Sequence, residues 1–172
     1  MAVTIGRDAA INILKNSGFL YRGKTDGITQ FEYRTGSGFA MSFAVQWLDC
    51  GYDAKFNLDD VRRQVSSMLE SARLEEMVYK FLKNPAKRQA LADACMAFGM
   101  RPDDDGKFYY VVDGKALFGV ELDYLASLVC TGKADVLNLQ DTLEAMKDSA
   151  ETEAQLKKMS EGIGIKNFRK PQ

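Results

Sequence analysis

The chain has 172 residues, of which 46% are apolar and 27% charged, with three prolines and a net charge of −1. A chain of this size buries roughly 70% of the surface it exposes when unfolded, so it needs neither metal nor disulfide to hold together, and one domain is expected. No apolar run reaches the roughly 18 residues of a membrane span, and residues 1–17 lack the basic start, apolar core and small-residue cleavage pattern of a secretory leader, which points to a cytoplasmic protein.

Histidine is absent. Imidazole is the commonest general base near neutral pH and the commonest transition-metal ligand, so Ser-His-Asp and Cys-His nucleophilic sites and every histidine-containing zinc site are excluded. Carboxylates, Lys and Tyr remain as possible catalytic groups, which leaves a histidine-free enzyme as one alternative. Cys50, Cys95 and Cys130 are an odd, widely dispersed set with no CxxC pair, which suggests reduced thiols and neither a disulfide framework nor a thiolate metal site. No metal and no cofactor is expected.

In chain order, Ala9, Ala10, Ile13 and Leu14 recur at helical spacing and predict a first helix over residues 7–16, with Gly18 as its cap. Residues 19–22 and 28–34 flank Thr25-Asp26-Gly27 and predict a hairpin, because Asp-Gly supplies the positive φ angles of such a turn. Phe39, Met41, Phe43, Val45 and Trp47 alternate with small or polar residues, which predicts one core strand over 39–48. The preceding Thr35-Gly36-Ser37-Gly38 has the composition of a phosphate loop but lacks the following lysine and helix, so it reads as a connector.

Asn57, with Asp59 and Asp60 behind it, predicts a helix start. The apolar positions run first through Val61, Val65, Met68, Leu69 and Ala72, then through Leu74, Met77, Val78, Phe81 and Leu82. At about 100° per residue these stripes point to nearly opposite faces, so the helix is expected to break or change neighbours near residues 71–73. Asn84-Pro85 restarts a helix that Gly99 ends. Arg62, Arg63, Arg73, Lys80, Lys83, Lys87 and Arg88 make these helices the most basic region. A nucleic-acid-binding protein using them is the second alternative, weakened by the acids interspersed among them.

Asp103-Asp104-Asp105-Gly106 is oxygen-rich, but its acids are adjacent instead of alternate and no bidentate Glu follows, so it reads as a solvated turn able to dock on a basic patch. Residues 108–112 and 115–120 about Asp113-Gly114 predict the second hairpin, apolar on both faces. Residues 121–130 and 138–161 predict two more helices. In the last, Val136, Leu139, Leu143, Met146 and Ala150 form an apolar seam that suits either the chain's own core, a partner helix or self-association.

These elements describe an α+β fold: a single domain over residues 1–161, with a small antiparallel sheet of hairpins and helices packed around it, followed by a basic flexible tail over 162–172. Residues 1–100 carry net charge +2 and residues 101–161 net −6. That balance disfavours nucleic acid and favours a protein partner with a basic surface. The functional expectation is a small regulatory or inhibitory protein that acts by binding another macromolecule, of the general kind that viruses and mobile elements encode. The partner-binding candidates are Asp103, Asp104, Asp105, Asp141, Glu144 and Asp148, with the seam of Leu139, Leu143 and Met146; a homo-oligomer through the last helix is the further expectation.

Overall fold

The computed structural model describes the backbone of residues 2–168 and the side chains of residues 2–162. Among the described residues are five α-helices and three small antiparallel sheets, an α+β fold. The chain forms two compact units that meet in sequence at Lys80 and Phe81.

In the first unit, β1 (Thr4–Ile5) leads into α1 (Arg7–Asn16), which ends where Gly18 takes φ +104°. β2 (Phe19–Thr25) and β3 (Ile28–Arg34) form the expected hairpin, with Asp26 and Gly27 both at positive φ. β4 (Ala40–Ala44) pairs with β3 on its other side, placing Phe43 opposite Phe31 and Met41 opposite Tyr33. The bulky side of β4 faces the core while Ala40, Ser42 and Ala44 stay exposed, in keeping with the alternation in the sequence.

The strand expected to run to residue 48 stops earlier. After the Val45 N–H bonds to the Thr29 carbonyl at 2.8 Å, residues 46–49 wind into a 3-10 turn. The turn carries Asp49 back to β3, where its carboxylate bonds Thr29, and tips Trp47 onto Phe56 at 5.7 Å between ring centres. The core of the unit is Ala10, Ile11 and Leu14 of α1 with Phe19, Phe31, Val45 and Leu48.

β5 (Phe56–Asn57) closes a two-stranded ladder with β1, too short to show in the sequence. The Asn57 side chain then accepts the Asp60 N–H and starts α2 (Leu58–Lys83). Val61 and Val65 of α2 join the same core. The helix does not break near residues 71–73. It runs on unbroken with buried Val61, Val65 and Ala72 along one stripe and buried Val78 on another, because a change of face costs a helix nothing when both stripes are covered.

In the second unit, Asn84 caps α3 (Pro85–Ala97) by accepting the N–H groups of Ala86 and Lys87, with Pro85 at the position where its missing N–H is harmless. Gly99 at φ +98° ends α3 and lets the Met100 N–H reach the Cys95 carbonyl. β6 (Arg101–Pro102), β7 (Phe108–Val112) and β8 (Lys115–Val120) form a three-stranded sheet, so the expected hairpin gains a short third strand. The expectation that both faces of this hairpin are covered holds at Phe108 and fails at its tip, where Val111 and Val112 are exposed.

α4 (Leu122–Cys130) and α5 (Leu139–Phe168) complete the unit. α5 overruns its expected end, so residues 162–168 of the expected flexible tail carry helical backbone: Gly162 and Gly164 weaken but do not stop a helix already nucleated before them. Residues 169–172 of that tail lie outside the described residues. Leu91, Cys95, Met100, Phe108, Val120, Leu125, Ala126, Leu139 and Leu143 are the buried apolar side chains here.

Candidate functional site

Leu139 and Leu143 are turned into the core of the second unit, 3% and 0% exposed, and are withdrawn from any partner surface. This corrects the outward reading of the seam. A helix that must pack against β8 and α3 spends its strongest apolar stripe on its own unit. Met146 is half-buried and remains accessible along a groove.

That groove has a volume of about 690 Å³. One wall is β8 and α4, contributing Phe118, Val120, Tyr124 and Leu128. The other wall is α5, contributing the small residues Thr142, Ala145, Ser149 and Ala150 with Met146, while Lys133, Asp141 and Glu153 sit on the rim. Gly119 is required in β8 because a Cβ there would lie 2.7 Å from the Tyr109 ring. Behind the groove, Tyr110 stacks on Phe118 at 5.8 Å and the Lys147 ammonium lies 5.1 Å over the Tyr110 ring. The Tyr110 hydroxyl first, and then Glu144 and Glu151, hold the Lys147 ammonium above its usual pKa.

The acidic candidates divide by environment. Asp103 is an internal acceptor: its carboxylate takes the N–H groups of Asp105 and Lys107, both at 3.0 Å, and so shapes the turn between β6 and β7. Asp104 and Asp105 project from that turn into solvent. Asp105 also borders a cleft of about 410 Å³ that Arg88, Lys107, Glu121 and Asp123 share. On α5, Asp141, Glu144, Asp148 and Glu151 follow one another at intervals of three, four and three residues and form one exposed stripe. Asp141 accepts a hydrogen bond from Asn138 at 2.7 Å.

Ion pairs among the described residues are made by four carboxylates of the first unit. In the first, Arg7 and Lys24 flank Asp49, Arg22 and Arg34 flank Glu32, Arg63 meets Asp60, and Lys80 meets Glu76. In the second, among the described residues, none of Asp103, Asp104, Asp105, Asp141, Glu144, Asp148, Glu151 or Glu153 forms an ion pair. The basic residues of α2 and α3 are exposed, with Arg63 and Lys80 already engaged by acids of their own helix.

A second concavity, about 530 Å³ in the first unit, is lined by Arg7, Asp8, Lys24, Asp49 and Tyr52. Its polar groups serve the fold. Thr29, fully buried, donates its hydroxyl to Asp49 at 2.7 Å and its N–H to the other Asp49 oxygen at 2.8 Å, and accepts from Arg7 at 2.8 Å. Burial alone would raise the Asp49 carboxyl, but the two Thr29 hydrogen bonds and the Lys24 ammonium outweigh it and hold the group below the usual aspartate range. Nothing in the sequence marks this knot, since Arg7, Thr29 and Asp49 stand about 20 residues apart.

Among the described residues, no group of three or more Cys, Asp or Glu is placed to hold a metal ion, and no helix is long and apolar enough to cross a membrane. Cys50 is exposed, Cys130 half-buried, and Cys95 buried with its thiol pushed up to about 11 by desolvation. Compared with protein-family profiles, with curated proteins and with solved structures, the chain matches none.

Proposed function

We propose that the protein acts by binding another protein of basic surface through the second unit, in a regulatory or inhibitory role, and that the exposed carboxylates of the β6–β7 turn and of α5 form the docking surface. What supports the reading is the contrast in charge pairing. Four acids of the first unit, Glu32, Asp49, Asp60 and Glu76, form ion pairs within it, while Asp104, Asp105, Glu144, Asp148 and Glu151 form none among the described residues, the Lys147 ammonium between Glu144 and Glu151 acting on them only at longer range. On α5, Glu144 and Asp148 are four apart and Asp148 and Glu151 three apart, like-charge spacings that cost roughly 0.2–0.5 kcal/mol each, offset in part by the Lys147 ammonium that lies between Glu144 and Glu151. A surface that stores repulsion is relieved by an opposing cationic one, which also steers association from a distance.

The test is a variant carrying Asp104→Asn, Asp105→Asn, Glu144→Gln, Asp148→Asn and Glu151→Gln, compared with wild type as bait in the native host. The reading requires the variant to be as stable as wild type or slightly more so, and to lose a stoichiometric protein that wild type retains and that added salt releases. A partner held equally by both baits would refute it. Retention of nucleic acid by wild type and variant alike would move the function to the basic residues of α2 and α3.

A further inference from the structure

The knot that anchors the first unit leaves hydrogen-bond donors over. Arg7 gives one N–H to the Thr29 hydroxyl at 2.8 Å, and Thr29 bonds both Asp49 oxygens, with the Lys24 ammonium 3.3 Å from one of them. One carboxylate thus serves two cations, a guanidinium with five N–H groups and an ammonium with three. The Arg7 side chain is only 25% exposed, yet among the described residues no buried side-chain nitrogen or oxygen lacks a hydrogen bond, so its remaining N–H groups reach accessible space. The cavity of about 530 Å³ beside them provides that space, and Asp8 and Tyr52 line it as well. Asp8 is exposed and forms no ion pair with Arg7 or Lys24, and the Tyr52 ring is fully exposed, with no side chain packed on it.

We propose that this cavity binds a small zwitterion of the amino-acid class, its carboxylate held by Arg7 and Lys24, its ammonium by Asp8, and its side chain laid against Tyr52. The volume falls within the roughly 300–1,000 Å³ of small-molecule sites. A guanidinium already fixed along one edge offers its other donors as a rigid fork, which suits a carboxylate, and Lys24 adds a second positive charge. Both signs line the cavity, Arg7 and Lys24 against Asp8 and Asp49, so a net-neutral ligand that carries both signs matches it. A simple anion would leave Asp8 opposed to it, and a simple cation would meet Arg7 and Lys24. The bare Tyr52 ring supplies apolar area for the ligand's side chain to cover while its hydroxyl stays in water. The site lies wholly in the first unit and shares no residue with the acidic docking surface of the second, so either can fail without the other.

Thermal melting of the full chain with each free L-amino acid at about 10 mM should find at least one that raises the midpoint by roughly 3–6 °C, as a dissociation constant of ~1 mM would. Calorimetric titration then compares that amino acid with its N-acetyl and its carboxamide forms. Each of these should bind about 10-fold more weakly or worse, because each strands a charged partner in the cavity. Asp8→Asn should weaken the free amino acid by a similar factor and leave the N-acetyl form unchanged, and Lys24→Gln should weaken the free amino acid and leave the carboxamide unchanged. Tyr52→Ala, at a fully exposed position, should weaken binding several-fold. The melting of each variant without ligand checks that it folds. A midpoint that no amino acid moves, a ligand held equally well after acetylation and amidation, or an affinity indifferent to both Asp8→Asn and Lys24→Gln would overturn the proposal.

Discussion

Replacing Asp49 probes how the first unit is held at the point where β4 leaves the sheet. Asp49→Ala removes the acceptor for both the hydroxyl and the backbone N–H of Thr29, which is fully buried, and the counterion of Arg7 and Lys24, 3.8 and 3.3 Å away. An unsatisfied buried donor costs about 1–3 kcal/mol, and with two donors stranded we expect a loss of about 3 kcal/mol. Thr29→Val keeps the shape and the N–H bond and should lose only about 1 kcal/mol. The double variant should fall short of the sum by about 1 kcal/mol, because both changes delete the same hydroxyl–carboxylate bond. Trp47, the only tryptophan, packs on Phe56 in this unit and reports its unfolding by fluorescence in urea.

The pH dependence follows from the lowered Asp49 pKa. A carboxyl depressed by folding contributes its stability above the ordinary aspartate value of about 3.9 and loses it as pH falls through the lower, folded value. The stability difference between wild type and Asp49→Asn should therefore be constant above about pH 5 and shrink in acid. A cost for Asp49→Ala under about 0.5 kcal/mol, additive costs in the double variant, or a difference that grows as pH falls would refute the reasoning.

Three further outcomes are expected. Gly119→Ala should destabilise the second unit by about 1–3 kcal/mol, measured by thermal melting, because the new Cβ meets the Tyr109 ring at 2.7 Å and the ring must move. Asp113→Ala should cost about 1 kcal/mol in the same assay while Asp113→Gly is neutral or better, since this turn residue sits at φ +51°. In a thiol-labelling time course on the native protein, the exposed Cys50 should react first. The buried Cys95, its thiol at about 11, should wait for unfolding, and early labelling of Cys95 would show that α3 opens readily.

Much of the fold was legible because its signals are local. Asp26-Gly27 and Asp113-Gly114 announced both hairpins, Asn57 and Asn84 the starts of α2 and α3, and the alternation from Phe39 the buried side of β4. What escaped the sequence depends on contacts distant along the chain. The β1–β5 ladder is two residues deep, and the 3-10 turn after Val45 exists because Asp49 has Thr29 to bond. The same limit governed the site. Exposed acids on α5 could be read from their spacing, but Leu139 and Leu143 follow an equally good helical pattern whichever way they face, and only the packing of α5 turns them inward. Asp103 looked like its neighbours until the turn showed two N–H groups aimed at it. The unpaired state of the second unit's carboxylates is a fact about distances to cations, which no one-dimensional charge count contains.

The central claim, a charge-steered docking surface on the second unit, is tested most directly by the association rate with the captured partner as salt is raised. Wild type should lose rate several-fold between low and physiological ionic strength, where the Debye length shortens to about 8 Å, and the five-fold neutralised variant should start from the slow rate and change little. Equal rates for the two proteins, insensitive to salt, would contradict the account.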